Sequence, residues 1–187
     1  MSVFGIIYRK KIYRIYRKEL ISSKVMNMTE IKYEFIEIKP DDIKYISCIE
    51  NIAEWLYGNL KNMLENGSYC LAVFDSTKLI AFNLISFGDV YIPLIHYYKK
   101  FNNNSAWSEH IWVNKIHRNM DIATQLRMKV FSVLSKKGIK QLYGGCLLCN
   151  KVSLKLAQKL DFENIADIEY VRILNLRKWK FRRISDF

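Results

Sequence analysis

Proline is scarce in this 187-residue chain, limited to Pro40 and Pro93, and glycine numbers only seven. That thinness excludes collagen-like, repeat and Pro/Gly low-complexity organisation. Cysteine is sparse too. Cys48, Cys70, Cys146 and Cys149 make no dense disulfide framework in a chain this long, and thiols of a reducing cytoplasm fit better. The Cys146-x-x-Cys149 pair lacks the second CxxC or close His pair of a structural zinc site. It also closes an apolar run rather than preceding a helix, as a redox pair would. His96, His110 and His117 have no metal-ligand spacing. No apolar run reaches the roughly 18–20 residues of a membrane span. Basic residues follow the apolar start at residues 1–7 instead of preceding it, the reverse of a signal peptide. A soluble, cytoplasmic protein is expected.

What is present is apolar material: 50% hydrophobic and 14% aromatic residues, enough to fill a sizeable core. The net charge of +12 is unevenly placed. Residues 1–24 carry +6 and residues 172–187 carry +5, which leaves +1 for everything between. A near-neutral centre argues against a groove built broadly for nucleic acid.

From Val3 to Leu20, apolar residues at Phe4, Ile7, Tyr8, Ile12, Ile15 and Tyr16 approach helical spacing, with Arg and Lys between them. A basic amphipathic helical extension is expected. It would pack on the domain or on a second subunit as a homodimer, lie peripherally on an anionic membrane, or, with less support, contact RNA. Ser22 to Thr29 reads as a linker. Tyr33 to Ile38 alternates as a strand, and Pro40-Asp41-Asp42 signals a helix start. Helices are expected near Asp42–Ile49 and Ala53–Leu64, followed by a hairpin of Tyr69–Phe74 and Lys78–Phe87 across Asp75-Ser76-Thr77. Asn83, a polar interruption of the second strand, reads as an exposed or edge residue. Residues 88–106 read as an insertion, and Ile168–Leu176 as a closing strand. The basic tail, with Trp179 and Phe181 interleaved, suits base stacking, a membrane interface or a solvated terminal strand anchored by its two aromatics.

The stretch Ile111 to Glu163 organises the rest. An apolar run at Ile111–Val113 leads through the polar turn Asn114–Asp121 to an amphipathic segment, Ile122–Lys137. Gly138, a second apolar run (Gln141–Leu148) and a second helical pattern near Asn150 follow. This βαβα order opens a polar loop onto a helix N-terminus, whose unpaired N–H groups and positive dipole end suit a phosphate. The segment resembles the core of the GCN5-related N-acetyltransferase (GNAT) family. That family carries Gln/Arg-x-x-Gly-x-Gly/Ala in this loop, and here the loop reads Arg118-Asn119-Met120-Asp121-Ile122-Ala123. At the points of the family's later Asn-x-x-Ser/Ala, apolar residue and Gly-Phe stand Asn150, Ser153, Leu156, Asp161 and Phe162, starting 27 residues beyond Ala123. Asp121 stands where a Gly is usual, and Ala157 where a Tyr often lies.

The resemblance implies acyl-CoA, most simply acetyl-CoA, as co-substrate without a metal, and an amine acceptor. Backbone near Ile111 and Val113 would pair with the pantetheine amides. The N–H groups of Asn119, Met120, Asp121, Ile122, Ala123 and Thr124 would hold the pyrophosphate, with Arg118 adding charge and Asn150 and Ser153 touching the arm. Asn150 reads equally as the cap of its own helix. Asp121 either sets a negative charge beside the pyrophosphate or points outward and caps the helix at Ile122. Strand alternation puts Glu109, Ile111 and Val113 on one face and His110, Trp112 and Asn114 on the other. Glu109 is the first candidate for general base and His110 the second; each also fits an ordinary strand polar group. With Ala157 unable to donate a proton, the thiolate would rely on water, Tyr143, Cys149 or its own modest basicity, and water is the expected acid.

The expected fold is therefore α/β, a GNAT-like mixed, mostly antiparallel sheet flanked by helices. The expected segments are residues 1–29 as basic extension and linker, 30–176 as acyltransferase domain and 177–187 as basic tail. Two functions stay open. One is an N-acyltransferase acting on a small molecule or sugar amine. The other is a non-catalytic binding module that engages RNA, an anionic membrane or a protein through its basic ends.

Overall fold

The computed structural model describes residues 8–20, 33–53, 56, 59–76, 78–174 and 176–183. The chain divides into two compact units: a terminal unit of Met1–Lys18, Tyr91–Lys99 and Tyr143–Phe187, and a central unit of Glu19–Val90 and Lys100–Leu142. The expected α/β class, mostly antiparallel strands with flanking helices, is what forms.

In the central unit, β2 (Phe35–Ile38), β3 (Tyr69–Asp75), β4 (Lys78–Ser86) and β7 (Ser105–Val113) lie side by side in the order β7-β4-β3-β2, and the three neighbouring pairs are antiparallel. Helices α1 (Ile43–Ile52) and α2 (Leu60–Glu65) add Ile46, Ile49, Leu60 and Leu64 to a core that includes Cys70, Ala72, Phe82 and Leu84. The Glu50 carboxylate accepts the Leu60 N–H at 2.8 Å and so satisfies an orphan donor at the start of α2. The second helix is shorter than expected: Ala53 is outside it, and residues 54, 55, 57 and 58 lie outside the described residues. Helix α3 (Ile122–Lys136) buries Ile122, Leu126, Val130 and Leu134, one residue per turn along one stripe. It ends at Gly138, whose φ of 80° suits a residue without a side chain, while Ile139 N–H reaches back to Leu134 C=O at 3.0 Å.

In the terminal unit the order is β10-β9-β1-β8, from β1 (Tyr8–Glu19), β8 (Gln141–Leu147), β9 (Glu163–Ile173) and β10 (Leu176–Arg183). Here the expected basic N-terminal helix is corrected: residues 8–19 form a strand paired along β9. A register shift between Ile15 and Tyr16 breaks the period-two pattern, so that Tyr13, Ile15 and Tyr16 are all buried. Ile12, Ile15 and Tyr16 thus imitate helical spacing, whereas their β-branched and aromatic character favours the strand they form. The part of that expectation on residues 1–7, and the linker from Ser22 to Thr29, lie outside the described residues.

The expected insertion contains a two-stranded ribbon, β5 (Asp89–Ile92) and β6 (Tyr97–Lys100). The tail is a terminal strand anchored by its aromatics. Trp179 Nε1 donates to Ile95 C=O at 2.7 Å, and the Phe181 ring meets Tyr97 at 5.3 Å. Helix α4 (Lys151–Lys159) completes this unit.

Candidate active site

The candidate chemistry gathers on β7 and on the loop that follows it. Strands β4 and β7 pair as Leu84 with His110 and Ile85 with Ser108, so Glu109 is the extra residue of a β-bulge. Burial pushes the Glu109 carboxyl up to about 6, and hydrogen bonds from Ser86 and Trp107 pull it partly back. Its neighbour His110 is pushed down to about 4, first by burial and then by the Arg127 charge. His110 and Trp112 both face Phe82, with centroids 6.0 and 6.1 Å away, as the expected alternation requires beyond the bulge.

Three polar residues on β4, β7 and α3 hold this bulge. Asn83 is fully buried and donates through Nδ2 to the His110 carbonyl at 2.7 Å and to Ser108 Oγ at 3.2 Å. Arg127, 8% exposed on α3, donates Nη1 to the same Oγ at 2.7 Å. Both residues on either side of Glu109 are therefore tied down, one from the neighbouring strand and one from the helix. The expectation of an exposed or edge Asn83 is corrected. A polar residue inside an apolar strand is buried when the adjacent strand presents partners for it. Arg127 and Ser108 were not singled out from sequence. The available signal was an arginine beside the buried stripe Leu126–Val130–Leu134, where a solvated side chain is the ordinary reading.

After β7, the Asn114 side chain accepts the Ile116 N–H at 3.3 Å and shapes a short 3-10 turn, Lys115–His117. Arg118 is exposed, and its Nε returns to Val113 C=O at 3.2 Å. Asn119 and Asp121 then take left-handed backbone, at φ 63° and 61°. Asn and Asp accept that region more readily than most residues. At Asp121 this explains the glycine usual at that place, because the position demands positive φ. Asp121 N-caps α3 by position but forms no side-chain cap hydrogen bond, so the capping alternative is corrected. The turn aims the chain so that Gln125 N–H makes a helical bond to Asp121 C=O at 3.0 Å. The N–H groups of Ile122, Ala123 and Thr124 are left as the terminal donors of a 15-residue helix. The Ile122 side chain is 1% exposed and belongs to the core, so only its backbone faces the loop's task.

Of the other candidates, Ile111 and Val113 lie half-buried on β7 in the same unit, and Met120 is exposed beside the Tyr33 hydroxyl. Asn150 and Ser153 belong to the terminal unit, where Asn150 Oδ1 accepts the Ser153 N–H at 3.2 Å and caps α4. Asp161, at the other glycine position of the resemblance, is again left-handed at φ 53°. Phe162 N–H there bonds Ala157 C=O at 3.0 Å.

Residues 27–162 match the family model described as the acetyltransferase (GNAT) family. The chain belongs to the GNAT acetyltransferase family. Solved structures share the fold at low identity. A Drosophila protein is 11% identical with a TM-score of 0.59, covering 93% of this chain and 55% of that one. A GNAT-family protein from Novosphingobium aromaticivorans is 13% identical with a TM-score of 0.61, covering 88% and 64%. An aminoglycoside N-acetyltransferase, AAC(6')-Iy, solved in complex with CoA, is 18% identical with a TM-score of 0.52, covering 70% and 91%. This GNAT chain thus spans 55% and 64% of the length of the first two. No curated protein sequence matches it.

Proposed function

We propose that this GNAT chain moves an acetyl, or another acyl, group from acyl-CoA to the amine of a small molecule or sugar. The observation that carries the reading is Glu109: a half-buried carboxyl at the bulge of β7, raised to about 6, in the same unit as the loop that opens α3. A base poised just below neutral pH is ionised at pH 7 and still basic enough to take a proton from an ammonium group. His110, pushed down to about 4, stays neutral at that pH and is the weaker base, so Glu109 takes the first role.

The residues present fit the co-substrate. Ile122, Ala123 and Thr124 offer terminal N–H groups to a pyrophosphate, Arg118 adds a guanidinium, and the left-handed Asn119 and Asp121 supply the turn that a glycine would otherwise provide. Acyl-CoA, when bound, supplies the thioester carbonyl. Glu109 accepts the amine's proton, the nitrogen lone pair forms the amide bond, and the carbon–sulfur bond breaks as the thiolate leaves. Ala157 has no proton to give, so the second proton, shed by the nitrogen as the amide forms, reaches the thiolate through water. The AAC(6')-Iy relative holding CoA supports the co-substrate, and its class supports a sugar amine as acceptor.

Calorimetric titration with acetyl-CoA, beside an Asp121→Gly variant, tests this. Binding by the unmodified protein in the micromolar to millimolar range usual for enzyme substrates supports the acyltransferase. Binding by the variant alone favours the second reading, a non-catalytic GNAT-fold binding module. Silence from both proteins, with longer acyl-CoAs as well, rejects the enzyme.

A further inference from the structure

One end of the terminal unit has a surface that acyl transfer does not use. Tyr8, Ile173 and Leu176 stand directly opposite one another on β1, β9 and β10 and form a row across three strands. All are exposed, at 52%, 46% and 72%, and Leu174 in the β9–β10 connection is 60% exposed. The next row inward is Arg9, Arg172 and Arg177, and the one after it places Lys10 and Lys178 on either side of Val171. The surface therefore grades from an aliphatic tip to a double collar of cations about 3 and 7 Å behind it, at roughly 3.3 Å per strand residue. Trp179, 38% exposed, follows in the next row beside Tyr170.

Turn chemistry makes the tip more telling. Leu174 adopts left-handed backbone at φ 53°, a position ordinarily given to Gly or Asn. The Arg172 guanidinium braces that turn by donating to Leu174 C=O at 2.8 Å. A side chain that disfavours the turn and gains no burial from it has a use elsewhere.

We propose that this end of the terminal unit docks on an anionic lipid bilayer, with the Tyr8–Ile173–Leu174–Leu176 tip entering the headgroup boundary and the Arg and Lys rows lying among the anionic headgroups. The two features select this partner together. Aliphatic side chains gain nothing against a nucleic acid backbone in water, and a row of three arginines gains nothing against an apolar protein face. A bilayer rewards both, at depths of about 5–10 Å for the apolar face. The sequence of the terminal unit supports the sign: 16 Lys and Arg against 5 Asp and Glu. The proposal does not depend on the acyltransferase reading.

Flotation of the full chain with vesicles of phosphatidylcholine alone, or of equimolar phosphatidylcholine and phosphatidylglycerol, is the test. Binding to the mixed vesicles only, weakened between about 0.1 and 1 M salt as screening shortens to about 3 Å, is expected. Arg177→Gln with Lys178→Gln weakens binding by about 25-fold, at about fivefold per cation. Leu174→Ser with Leu176→Ser removes the part that survives salt, and these exposed changes leave the melting temperature in place. A Leu176→Trp reporter shifts its emission to the blue on the mixed vesicles. Equal binding to neutral vesicles, indifference to both double variants, or competition by RNA overturns the proposal. So does a dimer in free solution that the leucine substitutions dissolve, because a second copy would then be the partner.

Discussion

The two units spend their arginines differently. The terminal unit carries a net +11 by sequence and keeps its cations at the surface. Arg14 pairs with Asp167 at 2.7 and 2.8 Å, Arg17 with Glu163 at 2.7 Å, and Lys10 with Glu169 at 3.1 Å. The central unit, with 14 basic and 13 acidic residues, is nearly neutral, yet it buries one arginine almost completely beside its candidate base. Charge at a surface is cheap and screened, and serves recognition. Charge in a core is costly and survives only where structure or chemistry uses it. The difference fits the proposed division, with chemistry in one unit and contact in the other.

The largest expected effect separates chemistry from stability. Glu109→Gln removes the base and lowers kcat by about 10²–10⁴-fold. The same change deletes a half-buried carboxylate that sits above its ordinary range, so it raises stability at pH 7 by about 1–2 kcal/mol. Steady-state rates and thermal melts on one sample check both signs. A loss of rate accompanied by a loss of stability would make Glu109 a structural group.

Next come the two arginines. Arg127→Ala strips a charged donor from the buried Ser108 hydroxyl and leaves a cavity, at a cost of about 3 kcal/mol, with little dependence on salt. Arg14→Ala breaks a bidentate pair whose side chains are 27% and 22% exposed, at a cost of at most about 1 kcal/mol, most of which high salt removes in the parent as well. Urea titrations at low and high salt distinguish them, and equal costs would erase the contrast between the units.

His110 gives the central unit a pH signature. Its folded value near 4 lies below the ordinary 6.5, so the native state binds fewer protons than the unfolded chain between those limits. That stabilisation is complete above about 6.5 and is lost as the pH falls toward 4. Glu109 works against it. Its folded value near 6 exceeds the ordinary 4.5, so its burial cost develops as the pH rises from 4.5 to 6. The histidine displacement is the larger, so stability of the protein rises with pH across this window. In His110→Phe only the Glu109 contribution remains and the slope reverses, which melts at pH 4.5, 5.2 and 6, set by the same two windows, would detect.

The central unit was also the more legible in sequence. Its helix α3 announces itself through Ile122, Leu126, Val130 and Leu134, and its hairpin through the tight turn after Asp75, because local periodicity and turn residues decide both. The loop Arg118–Ala123 could be recognised because its spacing is sequential. What sequence hid was set by partners distant in the chain. Asn83 is buried because Ser108 and the His110 carbonyl come opposite it, Glu109 becomes a bulge only in register with β4, and β1 reads as a helix until β9 imposes its register shift. Strand pairing across more than 150 residues, as between Arg14 and Asp167, leaves no local trace.

The smallest expected effect tests the left-handed aspartates, one in each unit. Asp121 at φ 61° and Asp161 at φ 53° both stand at positions where a glycine costs no Cβ strain. Asp121→Gly and Asp161→Gly therefore each relieve the folded backbone, while glycine's extra freedom in the unfolded chain offsets part of the gain. The net change is within about 1 kcal/mol for each. Stability alone cannot tell the two apart, and affinity can. Asp121 adjoins the terminal N–H donors of α3, so removing its charge strengthens acetyl-CoA binding by severalfold, since an opposing charge near such donors is worth about 0.3–1 kcal/mol. Asp161 lies before β9 in the other unit, and its replacement leaves affinity unchanged. If both variants tighten binding equally, backbone relief is the cause, and the α3 loop loses its claim to the phosphate.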